Sequence, residues 1–191
     1  MVEIDGEKAL WFAMEKGLGL QRYRYIMEHV LDVDVSKNED FKRMFNGFYG
    51  IRRGKSWRDR YYQVFEQMKK EREHITFKDI FNRISDQSLE ASFSSKMLAT
   101  LNSQKPIWDS RVLHFLKLQP TGVTKVERIE SIIKIYTEIE AWYKNYLSTE
   151  DARNNLILFD RTFPEYSWID VYKRQVRACA ARQLRSQPVP L

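Results

Sequence analysis

One cysteine, seven glycines and five prolines are all that 191 residues supply of the residues that staple, bend or break a backbone. Cys179 alone forms no internal disulfide and no cysteine-based zinc site, so a disulfide scaffold is excluded and a reducing cytoplasm is the expected compartment. So few glycines and prolines cannot furnish the many tight turns of a sandwich or barrel, which favours helices. No apolar run approaches the ~18 residues of a membrane span, and no membrane partner is expected. Residues 1–20 interleave Glu3, Asp5, Glu7 and Lys8 with apolar positions, which is not the pattern of a secretion signal. HExxH, Walker, GxSxG and GxGxxG signatures are all missing. His29, His74 and His114 are too scattered to form a metal set, so no metal and no cofactor are expected.

What is abundant is aromatic: 11 Phe, 10 Tyr and 5 Trp in a chain that is 43% hydrophobic and 30% charged. At this length about 70% of the unfolded surface is buried on folding, so a core can form without metal or cross-link.

Most of the formal net charge of +6 sits at the C-terminal end of the sequence. Residues 170–175, Asp-Val-Tyr-Lys-Arg-Gln, resemble the in-frame translation of a transposase mosaic end from sequencing-library adaptors, of the kind fused to bacterial reading frames in metagenome assemblies. The stretch that follows, 176–191, has an Arg/Ala/Gln/Pro bias found nowhere else in the chain. Residues 169–191 are therefore expected to be a non-native, disordered tail after a domain at 1–168; the alternative is an ordinary basic terminus. The tail holds five of the 32 basic and one of the 26 acidic residues, leaving 27 and 25, a net charge of only +2 from a total of +6. Any attraction to nucleic acid must then come from a local patch.

The periodicity is helical almost throughout. Leu10, Trp11, Met14 and Leu18 begin one amphipathic stretch, and Tyr23, Ile26, Met27 and Val30 a second. Ser36 with Glu39 has capping-box spacing ahead of a short helix ending before Gly47 or Gly50, and Ser56 with Asp59 is expected to open a helix over about 57–72. Thr76 with Asp79 caps a helix carrying Phe77, Ile80, Phe81 and Ile84, and another runs from about residue 88 to Leu101. After an interruption at 102–106, Asp109 stands at an N-cap position, with Pro120 and Gly122 as terminators. Thr124 with Glu127 opens the longest run, to Leu147, and a last helix holds Leu156, Ile157 and Phe159. The fold expected is all-α, a single multi-helix globular domain.

The stretch most suited to a polyanion is 42–60. Lys42, Arg43, Arg52, Arg53, Lys55, Arg58 and Arg60 face one acid, Asp59, for a local charge of +6. Phe45, Phe48, Tyr49 and Trp57 are interleaved with them, and Gly47, Gly50 and Gly54 let backbone approach a phosphate. DNA or RNA is the partner this combination suits. The alternative is a solvated basic loop whose aromatics anchor the core. Arg24 and His29 have the R-x4-H spacing of an all-α ribonuclease superfamily, a spacing that also arises by chance.

Residues 92–118, SFSSKMLATLNSQKPIWDSRVLHFLKL, resemble part of the helix-hairpin-helix DNA glycosylases, in which a helical Lys is followed by an Asp capping the next helix in a Pro-x-x-Asp-[Ser/Thr]-x-Val context. The matching positions are Lys96, Pro106, Asp109, Ser110 and Val112; the hairpin glycines of that family have no counterpart in 88–95. The resemblance implies a DNA repair or modification enzyme, in which Asp109 supports departure of a damaged base and Lys96 forms a Schiff base with the sugar. Without it, Asp109 is an N-cap, Lys96 a solvated helix residue, and the chain a non-enzymatic helical interaction module.

Overall fold

In the computed structural model, which describes residues 6–8, 10, 19–86 and 88–166, every regular element is a helix. The adaptor-like tail, Trp11, Met14 and Leu18 lie outside the described residues. The described helices from residue 20 onward are α1 (Leu20–His29), α2 (Glu39–Tyr49), α3 (Lys55–Lys70), α4 (Phe77–Ile84), α5 (Ala91–Leu101), α6 (Ser110–Leu116), α7 (Lys125–Leu147) and α8 (Glu150–Thr162), followed by a 3-10 turn, Pro164–Tyr166. Contacts group them into two compact units, Gly19–Asn102 and the residues on either side of it. They part in the chain inside the interruption that 102–106 signals.

In the first unit the core is built from rings. α2 presents Phe41, Phe45 and Tyr49 at four-residue spacing, and α3 presents Tyr61, Tyr62, Phe65 and Met68, all buried. Phe45 has no exposed surface, and its ring centre lies 4.6–6.1 Å from those of Phe41, Tyr49, Tyr61, Tyr62 and Phe65. The phenols bring hydroxyls into this interior and each finds a partner: Tyr61 donates to the Phe93 carbonyl at 3.0 Å, Tyr62 to Asn46 Oδ1 at 2.8 Å, and Tyr49 pairs with Thr100 at 3.1 Å. Burial pushes the Tyr61 and Tyr62 hydroxyls well above the ordinary phenol range, so both stay neutral donors. α4 adds Phe77, Ile80, Phe81 and Ile84, every one buried, and its Thr76–Asp79 capping box forms as its spacing predicts.

Two of the expected starts differ. α2 is capped by Asn38, whose side chain accepts from the Phe41 amide at 2.8 Å, and not by Ser36. The Ser36 hydroxyl and amide both turn back to Asp34, and the hydroxyl bond is the main reason the Asp34 carboxyl falls to about 2. α3 starts at Lys55 with Gly54 as an N-cap that has no side chain to offer; Asp59 bonds Lys55 instead of closing a box with Ser56. Gly50 ends α2 in the left-handed region (φ 65°), and the Ile51 amide reaches back to the Asn46 carbonyl.

In the second unit, Thr124 and Glu127 form the expected box at the head of the 23-residue α7, and the Thr124 and Val123 amides hold the Glu127 carboxyl below its usual range. Gly122 sits at φ 121°, where an added Cβ would come within 2.8 Å of the Arg128 nitrogen, so the close approach requires glycine. α7 buries Ile132, Ile135, Tyr136, Ile139, Tyr143 and Tyr146, while Val126 in its first turn is 65% exposed. α6 stops at Leu116, before Pro120, because Lys117 takes the left-handed conformation (φ 55°) and the Leu118 amide bonds the Leu113 carbonyl. α8 starts at Glu150 behind its own cap, Thr149, six residues before the apolar run at Leu156–Phe159 that signals it.

Candidate nucleic-acid interface

The cations of 42–60 fall on two helices and the turn between them. Lys42 and Arg43 lie on α2, where the first-turn acids Glu39 and Asp40 hold them at 2.8 Å three residues away; Lys42 also lies over the Tyr62 ring. Arg52 and Arg53 lie in the α2–α3 turn, and Lys55, Arg58 and Arg60 on α3. Lys55 pairs with Asp59 at 2.6 Å, Arg60 with Asp86 at 2.8 Å and Arg53 with Glu90 at 2.9 Å. Hydrogen bonding by Lys55 lowers the Asp59 carboxyl below its usual range. Five of the seven cations thus have a carboxylate partner, and Arg52 and Arg58 have no ion pair among the described residues.

These pairs are not equivalent. Lys55–Asp59, Arg60–Asp86 and Arg43–Asp40 are solvent-exposed, worth about 0–1 kcal/mol each and screened by salt, so a phosphate can displace them at little cost. Arg53–Glu90 is different because the Glu90 side chain is only 4% exposed, and both its oxygens accept from one guanidinium nitrogen at 2.9 and 3.0 Å. Beside Arg52 and Arg58 stands the head of α3. No side chain caps it and no acid lies in its first turn, so the amide end of a 16-residue helix dipole is left for an anion.

The aromatics interleaved with the cations divide sharply. Phe45 and Tyr49 are core anchors, and Phe48 is half-buried with its ring stacked on Tyr23 at 5.3 Å. Trp57 alone of the four stands at the cationic edge, half-buried, with the Arg53 guanidinium 5.5 Å from its ring centre. Of the three glycines, Gly47 lies inside α2 beneath the Arg22 guanidinium, Gly50 closes that helix in the left-handed region, and Gly54 is the N-cap of α3; Gly50 and Gly54 both front open space.

Lys96 and Asp109 fall in different units, on α5 and at the head of α6. Lys96 Nζ donates to the Tyr49 carbonyl at 3.2 Å, placing a cation at the C-terminus of α2 where the helix dipole favours it, and lies 5.0 Å from the Phe93 ring centre. The loop ahead of α5 carries Glu90 at the N-cap position and Asp86, carboxylates where the glycosylase hairpin offers amides to a phosphate. Asp109 accepts from the Arg111 amide at 2.8 Å as the N-cap of α6. Asp109→Ala is expected to lose about 1 kcal/mol of stability in denaturant unfolding while Asp109→Asn changes it by a few tenths at most; equal losses would show that the charge rather than the cap matters.

Arg24 and His29, five residues apart on α1, point about 140° from each other around the axis. Arg24 bonds Glu28 at 2.7 Å, and His29 Nδ1 lies 2.8 Å from the Tyr25 carbonyl with its ring stacked on Tyr25. Each is engaged by its own helix. Among the described residues no cluster of three His, Cys, Asp or Glu could hold a metal, and no helix is long and apolar enough to cross a membrane. Sequence reasoning missed Glu90 and Phe93 as parts of this edge. Neither carried a local signal, because their partner Arg53 lies 37 and 40 residues away in the chain. No family model, curated protein or solved structure matches the chain.

Proposed function

We propose that the chain is a nucleic-acid-binding helical protein that grips phosphates with the edge formed by the α2–α3 turn and the head of α3. The observation that carries this reading is the uncapped, acid-free N-terminus of α3 set beside Arg52 and Arg58, two cations without ion-pair partners among the described residues. Amide donors and guanidinium groups side by side are what a phosphate oxygen accepts from, and the exposed pairs nearby exchange readily for phosphate. The reading is for binding. Lys96 and Asp109 are engaged in the folded chain at a helix C-terminus and a helix N-terminus.

The test is a salt series. Wild-type protein is expected to bind DNA or RNA oligonucleotides at low salt, with log affinity falling linearly in log salt. Replacing Arg52 and Arg58 by Gln is expected to reduce that slope by about 1.5–2 through the loss of two phosphate contacts, with thermal stability unchanged. An unchanged slope in the double variant would move the interface elsewhere.

A further inference from the structure

Trp57 and Phe93 stand in the first turns of α3 and α5, ring centres 4.9 Å apart and planes tilted by 58°. Beneath them Trp57 stacks on buried Tyr61 at 5.0 Å and 15°, and the Tyr61 hydroxyl donates to the Phe93 carbonyl, so both platform rings are seated on the core. Over them lies the Arg53 guanidinium, 5.5 Å from each ring centre. It is held by Glu90, a buried carboxylate that Ser88 Oγ also bonds. Lys96 Nζ is the second cation on Phe93. Trp57 and Phe93 differ from the aromatics of the core in keeping part of their surface exposed; Trp57 shares the start of α3 with Lys55 and Arg58, and Phe93 meets that edge through Trp57 and Arg53.

We infer that the Trp57–Phe93 platform with Arg53 is a stacking site for an unpaired nucleobase, which makes single-stranded nucleic acid the ligand of this edge; the inference rests on the phosphate-gripping reading. Aromatic faces and guanidinium planes stack bases of any identity, and a strand that lays a base here places its flanking phosphates toward Arg52, Lys55 and Arg58. In a duplex those base faces are covered by neighbouring pairs, so the platform contributes nothing to duplex affinity. Glu90 acts as a positioning residue, holding the Arg53 plane against the rings.

The experiment measures fluorescence anisotropy of the full chain at one low salt concentration with three ligands: a short oligothymidylate, the same strand in a duplex, and a tetrahydrofuran-spacer strand with the same phosphates and no bases. Wild-type protein is expected to bind the base-bearing single strand about tenfold more tightly than either other ligand. Phe93→Leu is expected to remove that preference and leave duplex and spacer affinity in place. Arg52→Gln with Arg58→Gln is expected to weaken all three alike. Equal wild-type affinity for base-bearing and base-free strands, tighter binding of duplex, or a folded Phe93→Leu that keeps the preference would overturn the stacking site and leave the phosphate grip standing. Binding of none of the three would overturn both. Should Phe93→Leu fail to fold, the comparison of strands on the wild type decides.

Discussion

Replacing Phe45 by alanine is expected to remove about 3–5 kcal/mol of stability, the range for deleting a large ring from a closely packed interior. The site cannot collapse to fill the gap, because five other rings surround Phe45 and three of them, on Tyr49, Tyr61 and Tyr62, are tethered through their hydroxyls to Thr100, the Phe93 carbonyl and Asn46. Moving any of them inward trades a buried hydrogen bond for a filled void, which costs a further 1–3 kcal/mol per unsatisfied group on the order seen for buried donors. Against a typical total of about 5–15 kcal/mol, Phe45→Ala is expected to remove a large fraction of the stability and to lower the unfolding midpoint sharply. Phe45→Leu, which keeps most of the volume, is expected to cost markedly less. Denaturant unfolding measures both, and a loss under about 1 kcal/mol for the alanine variant would contradict the packing described.

The second large effect concerns Arg53. Arg53→Met keeps the apolar stem over Trp57 and Phe93 but strands the Glu90 carboxylate, 4% exposed, with Ser88 as its remaining side-chain donor. Removing one partner of a buried pair costs about 3–5 kcal/mol, mostly for the charge left behind. The guanidinium itself is 41% exposed and can turn to water, so Glu90→Leu is expected to cost less than Arg53→Met. The double variant, with neither charge, is expected to recover most of the loss. Strictly additive losses in that cycle would show that the pair is not coupled.

How legible each feature was depended on how local its causes are. Thr76 with Asp79, Thr124 with Glu127, and Asp109 cap the helices their spacing predicts because each bond closes within three residues. Ser36 has the same spacing and fails, since Asp34 takes its hydroxyl and leaves Asn38, equally able to cap, at the helix start. Ser56 fails because Gly54 starts the helix earlier and Lys55 takes Asp59. The seven cations were legible as a run, and two of their partners, Glu39 and Asp40, lie just upstream. Asp86 and Glu90 arrive from the loop ahead of α5, and no local pattern connects that loop with Arg53 or Arg60. The same tertiary packing sorts the interleaved aromatics, drawing Phe45 and Tyr49 into the core and leaving Trp57 beside the charge.

The proposal that nucleic acid binds at the head of α3 is tested most directly by amide chemical shifts. On titrating the isotope-labelled full chain with oligothymidylate at low salt, the amides of residues 52–58 are expected to shift progressively and saturably, with those of α6 to α8 unmoved. Saturable binding whose shifts fall on α7 and α8 and spare residues 52–58 would contradict the assignment of the interface to the head of α3.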